Sequence, residues 1–127
     1  MSKQILIVDD ELPIRLLLEQ TLEDFEDFDV EIETVDNGRD ALDHIRVHRP
    51  DIVFLDVMMP HMNGFDVCTA VKEDPDLAEV FIVMLTAKGQ EADRERGEAV
   101  GADRYLTKPF DPMVVVAHAS EVLDIEL

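Results

Sequence analysis

Residues 50–60 read Pro-Asp-Ile-Val-Phe-Leu-Asp-Val-Met-Met-Pro, and the architecture of the chain is built around them. Ile52 to Leu55 is an unbroken apolar run, the pattern of a strand buried on both faces of a parallel sheet. It delivers one carboxylate, Asp56, at its far end. A charge placed there is costly unless something pairs with it. Three other apolar runs also end in polar residues, at Asp9-Asp10, at Thr86 and at Lys108. The function is expected where those ends meet.

Towards the N-terminus, Gln4 to Val8 forms a first strand followed by Asp9-Asp10-Glu11, with Pro13 suited to the first turn of a helix. Leu12, Leu16, Leu18 and Leu22 continue that helix to about Asp24, and an acidic loop follows. Val30, Ile32 and Thr34 alternate with Glu31, Glu33 and Val35, which predicts a second strand wetted on one side, at a sheet edge. Asn37-Gly38 opens a helix with Ala41, Leu42 and Ile45 on one face, stopped by Pro50.

Towards the C-terminus, Pro60 to Gly64 makes a turn, and Phe65, Cys68 and Val71 mark a helix that ends before Pro75. Val80 to Leu85 is a fourth strand, closing on Thr86-Ala87. The segment Glu91 to Val100 is compatible with a helix but offers little apolar surface beyond Ala92, Ala99 and Val100, and it carries Gly97 inside. A helix so thinly anchored should move easily. Asp103 to Leu106 is a short fifth strand leading to Thr107-Lys108-Pro109-Phe110. Asp111 as N-cap before Pro112 opens a last helix, with Met113, Val116, Ala117, Ser120, Val122 and Leu123 expected to face the core.

Strand and helix thus alternate five times, without repeats or linkers. Helical crossovers force parallel pairing, and right-handed crossovers on both faces give a doubly wound α/β sheet. With the second strand at an edge, the expected order is 2-1-3-4-5. Neighbouring strands lie about 5 Å apart, so Asp9-Asp10 and Thr86 stand one strand from Asp56. Lys108 stands two strands away on a long stem that can reach inward.

The totals bound the function. A chain of 127 residues is expected to form one domain over 1–127, which either works alone or belongs to something longer. No apolar run approaches membrane-spanning length, and Met1-Ser2-Lys3-Gln4 leads directly into a strand, so a cytoplasmic location without membrane insertion is expected. The single cysteine, Cys68, excludes an internal disulfide and a thiolate metal site, and reads as core. Thirty acidic against eleven basic residues give a formal charge of −19, which repels nucleic-acid phosphates and anionic membranes. The partners are then proteins, cations or small ligands. Arginine outnumbers lysine and aspartate outnumbers glutamate, which fits a salt-rich cytoplasm as well as an acidic protein of an ordinary cell.

Three converging carboxylates repel one another, and a divalent cation relieves them better than protonation at neutral pH. Oxygen-only ligands favour Mg²⁺, with Mn²⁺ as a possible substitute. Asp9, Asp10 and Asp56 carry three negative charges, and Lys108 plus such a metal carries three positive ones. An anion is then acceptable. A phosphoryl group fits between the metal, Lys108 and the Thr86 hydroxyl, with Asp56 as in-line nucleophile and an acyl phosphate as product.

Together, Asp9-Asp10, Leu55-Asp56-Val57-Met58-Met59-Pro60 with Gly64 following, Thr86-Ala87 and Lys108-Pro109-Phe110 resemble the receiver domain of two-component response regulators. The resemblance covers nearly the whole chain and rests on motifs in order and register. It implies a flavodoxin-like three-layer fold and phosphorylation of Asp56 by a histidine kinase or phosphotransfer protein. It further implies that Asp10 binds Mg²⁺ directly, Asp9 largely through water, and the Met58 backbone carbonyl completes the protein ligands. Lys108 would contact the phosphoryl group, and its bond to Pro109 would be cis. Thr86 and Tyr105 would form the switch pair, and Met58 and Lys88 would tune the lifetime of the phosphate. The face from about Gln90 through Tyr105 to the last helix would change its affinity for an output protein. Catalysis would be limited to self-phosphorylation and autodephosphorylation, making the chain a regulator rather than an enzyme.

Other readings of the same residues are weaker. A Mg²⁺-dependent phosphohydrolase with a strand-end nucleophile would resemble Asp-x-Asp, and Met58 occupies the second position. A nucleotide-binding module needs a phosphate-cradling loop after the first strand, where Asp9-Asp10-Glu11 would repel the ligand. A phosphorylation-independent interaction module remains the main alternative. His44 and His48 stand four apart on a helix without an evident third ligand and read as a solvated face, His61 as loop decoration, and the run Glu23 to Glu33 as solvated surface.

Overall fold

The computed structural model describes residues 2–87 and 91–127, with backbone alone described at 91–94. Five strands, β1 (Lys3–Val8), β2 (Val30–Val35), β3 (Ile52–Asp56), β4 (Phe81–Ala87) and β5 (Arg104–Lys108), form one sheet in the order β2-β1-β3-β4-β5. Every pairing is parallel. The crossovers carry α1 (Leu12–Leu22), α2 (Gly38–His48), α3 (Gly64–Glu73) and α4 (Glu91–Ala99), and α5 (Pro112–Leu123) closes the chain.

Alternation along the strands divides the core in two. Ile5, Ile7, Ile52, Phe54, Val83 and Leu85 pack with Leu18 and Leu22 of α1 and with Val115, Ala119 and Leu123 of α5. Leu6, Val8, Val53, Leu55, Ile82 and Met84 pack with Ala41, Leu42 and Ile45 of α2 and with Phe65, Cys68 and Val71 of α3. Both faces of the central strands are therefore dry, as their unbroken apolar runs require. Three of the helix starts, those of α2, α3 and α5, are fixed by their own caps. Asn37 accepts from the Asp40 N–H at 2.8 Å, and Asp111 accepts from the Met113 N–H at 2.9 Å. Asn63 and Asp66 form a reciprocal capping box.

Two expectations need correction. Val115, Ala119 and Leu123 carry the core side of α5, whereas Met113 is 79 % exposed and Ala117 is exposed. A stretch as uniformly apolar as Met113 to Ala117 has little periodicity to mark its buried face, and packing against α1 sets the phase. The helix read from Leu12, Leu16, Leu18 and Leu22 is α1, in which Leu18 and Leu22 are buried and Leu12 and Leu16 are exposed. The acidic segment after α1 is a 3₁₀ helix over Glu23–Phe28, anchored by the fully buried Phe25. Its charges are solvated, but its backbone is ordered by that ring.

Candidate functional site

The register of the sheet builds the site. Val8 lies opposite Leu55, Asp56 opposite Leu85, and Ala87 opposite Lys108. The residues at the C-terminal strand ends therefore share one edge of the sheet: Asp9 just past β1, Asp56 at the end of β3, Thr86 near the end of β4 and Lys108 at the end of β5. In doubly wound sheets this edge, where crossovers diverge to opposite faces, opens the binding crevice.

Lys108 bridges the carboxylates. Its Nζ stands 2.7 Å from Asp9 Oδ2 and 3.2 Å from Asp56 Oδ1, with Glu11 Oε2 farther out at 3.8 Å. The peptide bond to Pro109 is cis. Asp9 is fully buried and Asp56 nearly so, whereas Asp10 is exposed. Carboxylate oxygens of all three lie within 4.8 Å of one another.

Local geometry orients each group. The Glu11 N–H donates to Asp9 Oδ1 at 2.9 Å, and Arg15 Nη1 donates to the Asp9 carbonyl at 2.7 Å. The Met58 N–H donates to Asp56 Oδ1 at 3.2 Å, while the Met58 side chain stands out from the surface. Gly64 closes this loop from behind. A Cβ there would fall 2.4 Å from the Asp56 carbonyl oxygen, so the loop approaches the strand end only without a side chain at 64.

The electrostatics are strained in one direction. Burial, and then the charge of Asp9, push Asp56 up to about 7, against the opposing pull of Lys108 and the Met58 N–H. Burial alone would lower the Lys108 ammonium. Its contacts with Asp9 and Asp56 outweigh that and hold it above its usual value. The buried Asp9 Oδ2 is answered by the Lys108 ammonium at 2.7 Å. Two buried carboxylates thus share a single lysine. This excess of negative oxygen is the donor set of a hard divalent cation, and the three aspartates fit one.

The sequence-read residues divide by what surrounds them. Asp9, Asp10, Asp56 and Lys108 come together. Thr86 is buried on β4, one residue beyond the partner of Asp56 and opposite Thr107. Tyr105 lies farther down β5, half-buried against α4. Lys88 and Gln90 fall outside the described residues. His44 contacts Gln4 Oε1 at 3.0 Å and stacks near His48, in no cluster of three metal-ligating side chains among the described residues. The sequence reading missed Arg15, whose only signal is its position one turn into α1. A cleft of about 640 Å³ lined by Arg49, Asp51, Glu79 and Glu121 contains none of the site residues.

Comparison with known proteins gives a consistent result. A family model described as the response regulator receiver domain matches residues 5–120. The alkaline phosphatase synthesis transcriptional regulatory protein PhoP of Bacillus subtilis is 41 % identical over 123 residues, covering 97 % of this chain and 49 % of that protein. A probable transcriptional regulator, ycf27, of Guillardia theta is 43 % identical over 122 residues, covering 96 % of this chain and 46 % of its own length. The chain spans about half the length of these curated relatives. Among solved structures, a putative response regulator from Chloroflexus aurantiacus superposes with a TM-score of 0.88 at 31 % identity, over 98 % of this chain and 100 % of that one. The chemotaxis protein CheY4 of Vibrio cholerae gives 0.83 at 34 % identity, over 96 % and 99 %.

Proposed function

The chain belongs to the response regulator receiver family, and from that premise we propose that it is a phosphorylation-controlled signalling switch with Asp56 as phosphoacceptor. The observation that carries this is Lys108, held between Asp9 and Asp56 at the strand ends with its charge shared by both. A phosphoryl donor approaching Asp56 meets a fixed ammonium on one side and a carboxylate pair suited to a cation on the other.

The donor is a phosphohistidine of a histidine kinase or phosphotransfer protein. An Asp56 carboxylate oxygen forms the new O–P bond as the P–N bond breaks, and the proton balance is met on the departing imidazole. Asp9, Asp10, Asp56 and the Met58 backbone carbonyl would hold Mg²⁺, or Mn²⁺ in its place. When bound, the ion supplies charge neutralisation for the transferring group. Lys108 orients and neutralises the phosphoryl oxygens, exchanging its present contact with Asp56 for one with the new anion. The reaction is self-catalysed in this limited sense, and reversal by water is slow. Met58, whose side chain is exposed, and Lys88 are the positions from which that hydrolysis is tuned.

Phosphorylation adds about one negative charge and three acceptor oxygens at the sheet edge. The Thr86 hydroxyl turns towards them, the Tyr105 ring follows, and the face from about Gln90 through β5 to α5 changes its affinity for an output protein. Residues 1–127 act as one receiver unit, in the cytoplasm. Among the described residues no helix is long and apolar enough to cross a membrane. A surface at −19 does not itself bind DNA, so a role in transcription like that named for the relatives would run through another segment or partner. Hydroxylamine tests the linkage. Phosphoprotein made with acetyl phosphate and Mg²⁺ should lose its phosphate to hydroxylamine, and a resistant phosphate would place the modification on a hydroxyl and overturn the assignment.

A further inference from the structure

Gly97 lies inside α4, where glycine weakens a helix relative to alanine. It is buried, and a Cβ built on it would lie 2.5 Å from Cε1 of Tyr105 and 3.2 Å from the phenolic oxygen. Non-bonded carbon atoms rest about 3.5–4 Å apart, so a methyl group and the ring cannot both hold these positions. The same segment, with the residue just after it, is also tied to α3. The Arg96 guanidinium lies 4.4 Å over the Phe65 ring, and Cys68 Sγ donates to the Val100 carbonyl at 3.6 Å. Just beyond, Asp103 Oδ2 accepts from Lys72 Nζ and from the Ile82 N–H, each at 2.8 Å. The C-terminal half of α4 is therefore held on α3, and the Tyr105 ring enters between β5 and the helix where a Cβ is missing.

We propose that Gly97 is a positioning residue of the switch. Its absent side chain is the seat of the Tyr105 ring, so the orientation of that ring and the spacing of α4 from β5 are set together. A helix that approaches expels the ring, and a helix that retreats frees it. This coupling rests on the reading of Tyr105 as part of a phosphorylation switch, while the seat itself does not.

The chain carries one tyrosine and no tryptophan, so tyrosine emission reports this ring alone. The experiment is acrylamide quenching of wild type and Gly97→Ala, before and after acetyl phosphate with Mg²⁺, with phosphoryl incorporation followed by intact mass. Gly97→Ala should shift the quenching constant of the unphosphorylated protein towards that of free tyrosine. It should also abolish most of the change that phosphorylation causes in wild type, with incorporation unaltered. A purely structural glycine would not alter that phosphorylation response. Melting adds a second readout: Gly97→Ala should destabilise wild type yet stabilise a Tyr105→Ala background, where helix propensity acts without the clash. Wild-type quenching and response in Gly97→Ala, or equal melting effects in both backgrounds, would overturn the proposal. If wild type takes up no phosphoryl group, the switch reading fails, and the seat stands or falls on the unphosphorylated quenching and the melting cycle.

Discussion

Asp56→Asn should make the metal-free protein more stable, even though it deletes the proposed phosphoacceptor. The carboxyl of Asp56 is raised from 3.8 to about 7, chiefly by burial and then by Asp9. At about 1.4 kcal/mol per pKa unit, three units correspond to about 4 kcal/mol as a ceiling on the strain of the ionised form. Solvent reaching the open edge of the site screens part of this, and the amide still has to be desolvated, so we expect a gain of about 1–3 kcal/mol at pH 8. For a domain of this size that is several degrees in Tm.

The pH dependence gives the sign independently. Because the folded-state pKa is raised, the folded protein binds the proton more tightly than the unfolded chain, and stability from this group is full below about 4 and lost as pH rises through about 7. The advantage of Asp56→Asn should therefore be full above pH 7.5, shrink as pH falls through 7, and vanish near 4. Urea denaturation of both proteins in EDTA, followed by circular dichroism across that range, measures it. A variant less stable than wild type at pH 8, or a gain that does not change with pH, would refute the reasoning.

Lys108→Ala leaves two buried carboxylates unanswered; since Lys108 is 19 % exposed and Asp56 can protonate, a loss of about 1–3 kcal/mol is expected by denaturation, below the usual cost of breaking a buried pair. Mg²⁺ should raise the Tm of wild type, by about 2.7 kcal/mol of added stability at a hundredfold excess over Kd, and Asp10→Asn should lose most of that rise without losing stability in EDTA. With 30 acidic and 11 basic residues, stability should climb as KCl is raised from low to molar concentration, and a melt indifferent to salt would remove the idea of a salt-rich host.

The central architecture was legible because burial on both sides of a sheet leaves no freedom in composition. Ile5 to Val8, Ile52 to Leu55 and Ile82 to Leu85 must be apolar throughout, so the polar residue ending each run stands out and the sheet order brings those residues together. Helix phase was not legible where every face is apolar. Nothing in Met113 to Ala117 distinguishes Val115 from its neighbours until α1 is in place. Phe25 was masked by the acidic residues around it, a case in which one buried ring outweighs the four charges of the same segment, which remain in water. Arg15 and Gly97 act on groups six and eight residues away in sequence through contacts that only the folded chain creates. Glycine gives a special problem of inference, since its contribution is the space it leaves.

The most direct measurement is the intact mass of the protein after incubation with acetyl phosphate, with Mg²⁺ or with EDTA, alongside Asp56→Asn. We expect one phosphoryl group on wild type only when Mg²⁺ is present, and none on the variant. Incorporation that persists in Asp56→Asn, or a folded wild type that takes up none with Mg²⁺ at any salt concentration, would contradict Asp56 as the metal-assisted acceptor.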